Sequence, residues 1–127
     1  MEKGACRQDD DMQGLYEKIL AADGIAIGTP VYWWGPSAQT KLFFDRWFAL
    51  VPRRGELKGK KAVVVAPFEA REEGTARHVF GMFTDSFHYL GMTLAGTLGV
   101  TAGKRGEVAE NREALDLARA LGRQLLT

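Results

Sequence analysis

Apolar and polar residues alternate in blocks that predict a helix, a strand and a second helix over the first half of the chain. Three aspartates at residues 9–11 can cap a helix, and apolar residues then recur at helical spacing up to residue 20. The unbroken apolar run at residues 25–27 predicts a strand buried on both faces, as in a parallel sheet. Residues 37–50 predict a helix that ends before Pro52, with an apolar stripe of Leu42, Phe43, Trp47 and Leu50.

The second half of the chain repeats this alternation. Residues 60–66 predict a strand that Pro67 ends, because proline cannot continue a central ladder. Residues 74–90 predict a helix, residues 93–100 a third strand, and Asn111 caps a last helix. Alternating strands and helices with short connections indicate parallel strands with right-handed crossovers. We therefore expect one α/β domain over residues 1–127, with three visible strands and four helices.

Composition narrows the class of protein. The 127 residues are 46% hydrophobic and 26% charged, with a formal charge of +1, which gives no reason to expect nucleic acid or a membrane as partner. No apolar run reaches the ~18 residues of a membrane span, and we expect a cytoplasmic location. The lone Cys6 argues against a disulfide framework or a cysteine-built metal site. No catalytic constellation and no metal site stand out.

An aromatic loop follows the first predicted strand. In open α/β sheets, ligands bind outside the carboxyl ends of the strands, so this loop is a candidate binding loop. Its aromatic side chains could stack on a planar cofactor, or they could anchor a protein contact or cap the core. The candidate residues are Thr29, Pro30, Val31, Tyr32, Trp33, Trp34 and Gly35.

Residues 22–35, together with the helix that carries Lys41, Asp45 and Arg46, resemble the flavodoxin-like NAD(P)H-dependent FMN reductase family. The similarity is greatest to its multimeric flavodoxin and iron–sulfur flavoprotein branch. It implies a flavodoxin-like three-layer sandwich, FMN as cofactor and NAD(P)H as co-substrate. It also implies that the loop of residues 29–35 contacts the isoalloxazine ring. The loop of residues 67–70 would line the other side, with Pro67, Phe68 and Glu69 as candidate contacts.

The chain departs from the family pattern in two places. Family members begin with a strand and a phosphate-binding loop, whereas this chain starts about where their second half starts. The loop after the second strand has Phe68, Glu69, Ala70 and Arg71 where glycines are usual. We therefore expect an N-terminally truncated sandwich. The functional hypotheses are an FMN-dependent NAD(P)H oxidoreductase of the flavin or quinone reductase type, or a truncated, non-catalytic interaction module that no longer binds FMN. A third possibility is a fragment or a misassigned start.

Two surfaces are expected to be covered in the folded protein. Phe44 and Phe48 widen the apolar stripe of residues 37–50 beyond one buried face, which favours a homodimer or higher homo-oligomer through this helix. The alternative is a helix sandwiched within its own domain. In addition, the strand at residues 25–27 has an edge that must be shielded. We expect a partner chain, a rearranged N-terminal segment or a swapped element to cover it.

Overall fold

Helices and strands alternate throughout residues 6–127, the part of the chain that the computed structural model describes. None of the helices in this range is long and apolar enough to span a membrane. The predicted alternation is confirmed, with a short hairpin added inside the aromatic loop. The elements are α1 (Met12–Ala21), β1 (Gly24–Gly28), β2 (Val31–Tyr32), β3 (Gly35–Pro36), α2 (Ala38–Asp45), a 3₁₀ segment (Arg46–Glu56), β4 (Lys61–Phe68), α3 (Arg77–Tyr89), β5 (Thr93–Thr101), α4 (Glu107–Glu110) and α5 (Arg112–Leu126).

The three long strands form a parallel sheet in the order β1-β4-β5. Two glycines of β5 show that helices cover both faces. A Cβ at Gly96 would lie 2.4 Å from Leu121 of α5, whereas a Cβ at Gly99 would lie 3.7 Å from Phe80 of α3. Positions three apart in a strand point to opposite faces, so α5 and α3 lie on opposite sides of the sheet. The predicted three-layer architecture is confirmed.

The core on one face of the sheet is rich in aromatic rings. Phe44 packs against Phe83 and Trp47, with ring centroids 4.8 and 5.1 Å apart, and Phe83 stacks on Phe87 at 5.7 Å. These four rings are nearly or fully buried. Contacts of this kind add to the burial of apolar area that stabilises a domain. They attach α2 and the 3₁₀ segment to α3.

The second helix of the structure differs from the one predicted over residues 37–50. The α-helix ends at Asp45 and continues as a 3₁₀ segment through Pro52 to Glu56. A 3₁₀ helix has three residues per turn, so an α-helical stripe that is continued through it drifts out of register. Trp47 and Leu50 are buried as predicted, but Leu42 is 70% exposed. Phe44, which was predicted to widen the stripe toward a partner, is buried in the chain's own core.

The prediction that Pro67 ends its strand is also wrong, because β4 continues to Phe68. The N–H of Thr29 donates to the carbonyl of Val65 (3.0 Å), so Val65 and, two residues on, Pro67 direct their backbone groups toward β1. Since β1 ends at Gly28, the missing N–H of Pro67 costs no strand-to-strand bond. On the other side, Pro67 stays in register with Val100 of β5.

Polar side chains define several helix ends. Asp10 accepts a hydrogen bond from the N–H of Met12 (3.1 Å), and Asn111 accepts one from the N–H of Ala114 (3.0 Å). Capping is thus confirmed for Asn111 and, within residues 9–11, for Asp10, whereas the side chain of Asp11 makes no capping bond. Asp10 also binds Arg46 through both carboxylate oxygens, and this guanidinium lowers the pKa of Asp10. The pair ties the start of α1 to the 3₁₀ segment.

Candidate functional site

A cavity of about 360 Å³ opens at the carboxyl edge of the sheet, between the β2–β3 hairpin and the loop that follows β4. This is the edge at which open α/β sheets bind ligands, and the volume is within the range of small-molecule sites. Its lining consists of Val31, Trp33, Trp34, Phe68, Glu69, Ala70, Glu72 and Thr75.

The hairpin presents its two tryptophans at a strained turn. Trp33 and Trp34 occupy the two turn positions with φ of +54° and +64°, the left-handed region that Asn and Gly normally fill in such hairpins. For an L-residue this conformation costs about 1–2 kcal/mol. Even so, Trp33 is 91% exposed and Trp34 49% exposed, so burial repays little of the strain. Strain of this kind concentrates at binding sites.

The base of the hairpin is held by Thr29, which is fully buried. Its hydroxyl accepts the N–H of Ser37 and donates to the carbonyl of Pro30, both at 3.1 Å. Ser37 in turn caps α2 by accepting the N–H of Thr40 (3.2 Å). The hydroxyl of Thr29 is thus committed to positioning the loop between β1 and α2.

The facing side of the cavity is built on the end of β4. The ring of Phe68 lies over Gly99, where a Cβ would be only 3.0 Å from Cε1 of Phe68, so this position leaves no room for a side chain. The carbonyl of Phe68 accepts the N–H of Ala102 at 2.7 Å. Thr75, also buried, closes the loop by donating its hydroxyl to the carbonyl of Glu72 (2.7 Å).

A third loop, after β5, borders the site. Glu107 accepts hydrogen bonds from the N–H groups of Gly103 (2.8 Å) and Lys104 (2.9 Å). These bonds favour the ionised carboxylate and lower the pKa of Glu107. Gly103 in turn lies against the side chain of Glu69, where a Cβ would be 3.3 Å from Cγ. The loop therefore supports one of the cavity-lining residues.

The structure brings together half of the residues that sequence reasoning proposed. Those lining the cavity are Val31, Trp33, Trp34, Phe68 and Glu69. The others form the base and outside of the two loops: Thr29, Pro30, Tyr32, Gly35 and Pro67. Glu72 and Thr75 were missed, and the only signal for them was their place in the same strand-to-helix loop as Glu69. Tyr32, 65% exposed, lies on the hairpin outside the cavity lining.

Comparison with known proteins identifies the family. A family model described as NADPH-dependent FMN reductase matches residues 1–107. The chain belongs to the NADPH-dependent FMN reductase family. Among solved structures, the Trp repressor binding protein of Bacillus subtilis superimposes with a TM-score of 0.78 at 30% identity, covering 90% of this chain and 73% of that one. The flavodoxin-like fold predicted from the sequence is thereby confirmed.

Curated members of this FMN reductase family are longer than the part matched here. The iron–sulfur flavoprotein of Methanosarcina thermophila is 36% identical over 107 residues, which are 71% of this chain and 56% of that protein. The FMN-dependent NADH:quinone oxidoreductase of Burkholderia thailandensis is 40% identical over 96 residues, 68% of this chain and 44% of that protein. The chain thus spans about half the length of these two relatives.

The cavity fits one part of FMN better than the other. Three aromatic side chains, Trp33, Trp34 and Phe68, border a space that suits a planar isoalloxazine ring. No lysine, arginine or histidine lines the cavity among residues 6–127, whereas the carboxylates of Glu69 and Glu72 do. A phosphate would be repelled by these two charges. The residues present therefore fit the ring of FMN and offer its phosphate no cradle inside this cavity.

Proposed function

We propose that this chain holds the isoalloxazine ring of FMN between the hairpin and Phe68 and acts as an FMN-dependent NAD(P)H oxidoreductase of the flavin or quinone reductase type. The observation that carries the proposal is the pair of strained, exposed tryptophans beside a cavity at the carboxyl edge of the sheet. Family membership supports the same cofactor and the same reaction class.

Each residue at the cavity has a distinct part in this proposal. Trp34, which is half exposed, and Phe68 provide aromatic surfaces for the ring. Thr29 and Ser37 hold the hairpin that carries Trp34, through their hydrogen bond of 3.1 Å. Stacking of a heteroaromatic ring on an aromatic side chain is worth about 1–3 kcal/mol. Stacking therefore offsets the strain of the tryptophan turn only when a ring is bound.

The chemistry would be supplied by a bound flavin, which could take a hydride from nicotinamide and pass two electrons to a quinone, a free flavin or a similar acceptor. The side chains of this chain bind and orient the ring. Trp33, 91% exposed, borders the mouth of the cavity, where a second planar substrate would approach. Glu69 and Glu72 add negative charge at this mouth, which disfavours anionic acceptors over neutral ones.

The test is the anaerobic reduction of FMN by NADPH or NADH in the presence of the protein. The reduction is monitored as the loss of the flavin absorbance band. We expect reduction with the wild type and with Tyr32→Ala, which removes an aromatic ring of the same hairpin outside the cavity lining. Trp34→Ala should weaken FMN binding by about 5- to 150-fold, the equivalent of 1–3 kcal/mol. If Tyr32→Ala and Trp34→Ala changed the affinity for FMN equally, the result would contradict the assigned site.

A second candidate function is a non-catalytic interaction module that no longer binds FMN. The cavity lining favours this alternative in one respect, since within residues 6–127 it carries two carboxylates and no cationic side chain. Phosphate contacts commonly supply much of the affinity for a mononucleotide. Protein that leaves the fluorescence of added FMN and riboflavin unchanged, while remaining folded, would favour this module over the enzyme.

For the partner we propose a second copy bound through the helical face of residues 37–50. Leu42 and Phe48 of this segment are 70% and 58% exposed, and Phe48 lies across a groove from Tyr89 of α3, which is 58% exposed. A groove of about 380 Å³ runs between these elements and is mainly apolar. Phe48→Glu should lower the mass of the assembly in sedimentation, and an unchanged mass would remove this face from consideration.

A further inference from the structure

The mouth of the cavity carries negative charge beside aromatic surface. Glu69 and Glu72 line the cavity, and both residues are exposed to solvent. Trp33 lines the same cavity and is 91% exposed. Because β1 and β4 are neighbours in the sheet, the hairpin after β1 and the loop after β4 face each other across this mouth. Both of these walls belong to the described part of the chain.

The two indole rings of the hairpin are not parallel. Trp33 and Trp34 meet edge to face, with ring centroids 5.5 Å apart and an angle of 66° between their planes. A flavin ring that lies flat on Trp34 therefore cannot lie flat on Trp33 as well. The exposed indole of Trp33 remains available to a second molecule that enters the mouth.

The cationic residue between the two glutamates is turned toward a different loop. Arg71 lies between them in sequence but stands outside the cavity lining. The N–H groups of Gly103 and Lys104 lower the pKa of Glu107. The positive charge of Arg71 adds to this effect, so Arg71 lies near Glu107 at the start of α4. The charges that line the mouth from the loop after β4 are therefore the two carboxylates.

Carboxylates and an aromatic face attract the same kind of ligand. The face of an aromatic ring carries negative potential, so it attracts a cation, as a carboxylate does. In water, a positive charge about 4 Å from one carboxylate gains roughly fivefold in affinity. A planar molecule without charge gains only the stacking contact, and an anion is repelled. The mouth therefore favours a planar aromatic cation.

We propose that the electron acceptor of this site is a planar aromatic cation, which stacks on Trp33 with Glu69 and Glu72 beside its charge. The proposal rests on the flavin reductase function proposed above and specifies its second substrate. The acceptor takes up a hydride, which is two electrons and one proton, from the reduced flavin, which is thereby reoxidised. The positive charge of the acceptor is neutralised in this step. The carboxylates thus hold the substrate more tightly than the product, which lowers KM and favours product release.

Equilibrium dialysis with three phenazines tests the charge preference on one ring system. The ligands are the cation N-methylphenazinium, neutral phenazine and the anion phenazine-1-carboxylate. The protein is loaded with oxidised FMN and no electron donor is added, so binding alone is measured. We expect the cation to bind on the order of tenfold more tightly than phenazine, and the anion to bind more weakly than phenazine.

Two variants and a matched control identify the charges responsible. Glu69→Gln and Glu72→Gln should each reduce the preference for the cation over phenazine by about threefold and leave the affinity for phenazine unchanged. Glu73→Gln removes the same charge from an exposed residue of the same loop that stands outside the cavity lining. It should change the preference by less than about 1.5-fold, because salt screens a more distant charge.

The same dialysis with flavin-free protein separates this proposal from the proposed function. Failure to retain FMN would count against the reductase, whereas the order of the three phenazines would still decide the charge preference. The proposal is overturned if the three phenazines bind alike. It is also overturned if Glu73→Gln weakens binding of the cation as much as Glu69→Gln and Glu72→Gln do.

Discussion

Replacing Gly99 by alanine is expected to disturb both the stability of the protein and the shape of the cavity. A Cβ at this position would lie 3.0 Å from Cε1 and 3.5 Å from Cζ of Phe68. Carbon atoms in relaxed contact are about 3.5–4.0 Å apart, so the ring of Phe68 must move by roughly 0.5–1 Å. Overpacking of this kind costs about 1–3 kcal/mol.

The ring cannot move without a consequence for ligand binding, because Phe68 lines the cavity. The assay is a double-mutant cycle by denaturant unfolding, with Gly99→Ala introduced into the wild type and into Phe68→Leu. Leucine lacks the ring atoms that the new methyl group meets, so the loss of about 1–3 kcal/mol should largely disappear in that background. FMN affinity should likewise fall on Gly99→Ala in the wild type only.

Gly28→Ala is the matched control, because no atom lies within 4 Å of a Cβ at that strand position. We expect it to raise the free energy of unfolding by up to about 1 kcal/mol or leave it unchanged. Our reasoning about the Phe68 contact fails if Gly99→Ala is as harmless as Gly28→Ala. It also fails if the loss caused by Gly99→Ala is the same in both backgrounds.

Three further changes test the packing and the charges. Gly96→Ala should lower the free energy of unfolding by about 1–3 kcal/mol in denaturant titrations, because its Cβ would lie 2.4 Å from Leu121. The control is Gly122→Ala in α5, where a Cβ meets open space and should raise the free energy of unfolding by about 0.5–1 kcal/mol. The buried hydroxyl of Tyr16 faces the guanidinium of Arg46 and favours its charged form, so Tyr16→Phe should lower the unfolding free energy by about 1 kcal/mol, whereas a rise would show that the hydroxyl is an uncompensated buried group. Two backbone N–H groups lower the pKa of Glu107, so its stabilising contribution is complete above the ordinary pKa of a glutamate and is lost as the pH falls through the lowered folded-state pKa. The free energy of unfolding should therefore fall less steeply with decreasing pH in Glu107→Gln than in the wild type. Identical pH dependences of the two proteins would contradict this contribution.

The order of strands and helices could be predicted because each long element carries its own hydrophobic pattern. The valines of β4 and the spacing of Val79, Phe83 and Phe87 in α3 identify elements that are buried in the core. The ends were less predictable. Pro67 remains in its strand only because β1 has already ended beside it, and that is a property of the neighbouring strand. Sequence pattern does not contain this information.

The candidate site was also predictable in part. The position of the aromatic loop after a buried strand led to Trp33 and Trp34, and the family resemblance led to Phe68; the structure places all three around one cavity. The β2–β3 hairpin itself was missed, because its turn positions hold two tryptophans in place of the Asn-Gly pair that signals such turns. Thr29, proposed as a flavin contact, has its hydroxyl committed to Ser37 and Pro30. Hydrogen bonding of this kind becomes visible only in three dimensions.

The central claim is that this cavity binds FMN through its ring and not through its phosphate. Flavin titration tests this claim most directly. Quenching of flavin fluorescence should be saturable for both FMN and riboflavin, with dissociation constants within about threefold of each other, a difference of less than 1 kcal/mol. Trp34→Ala should weaken both equally. The claim is contradicted if neither flavin is quenched by the folded protein, or if FMN binds far more tightly than riboflavin.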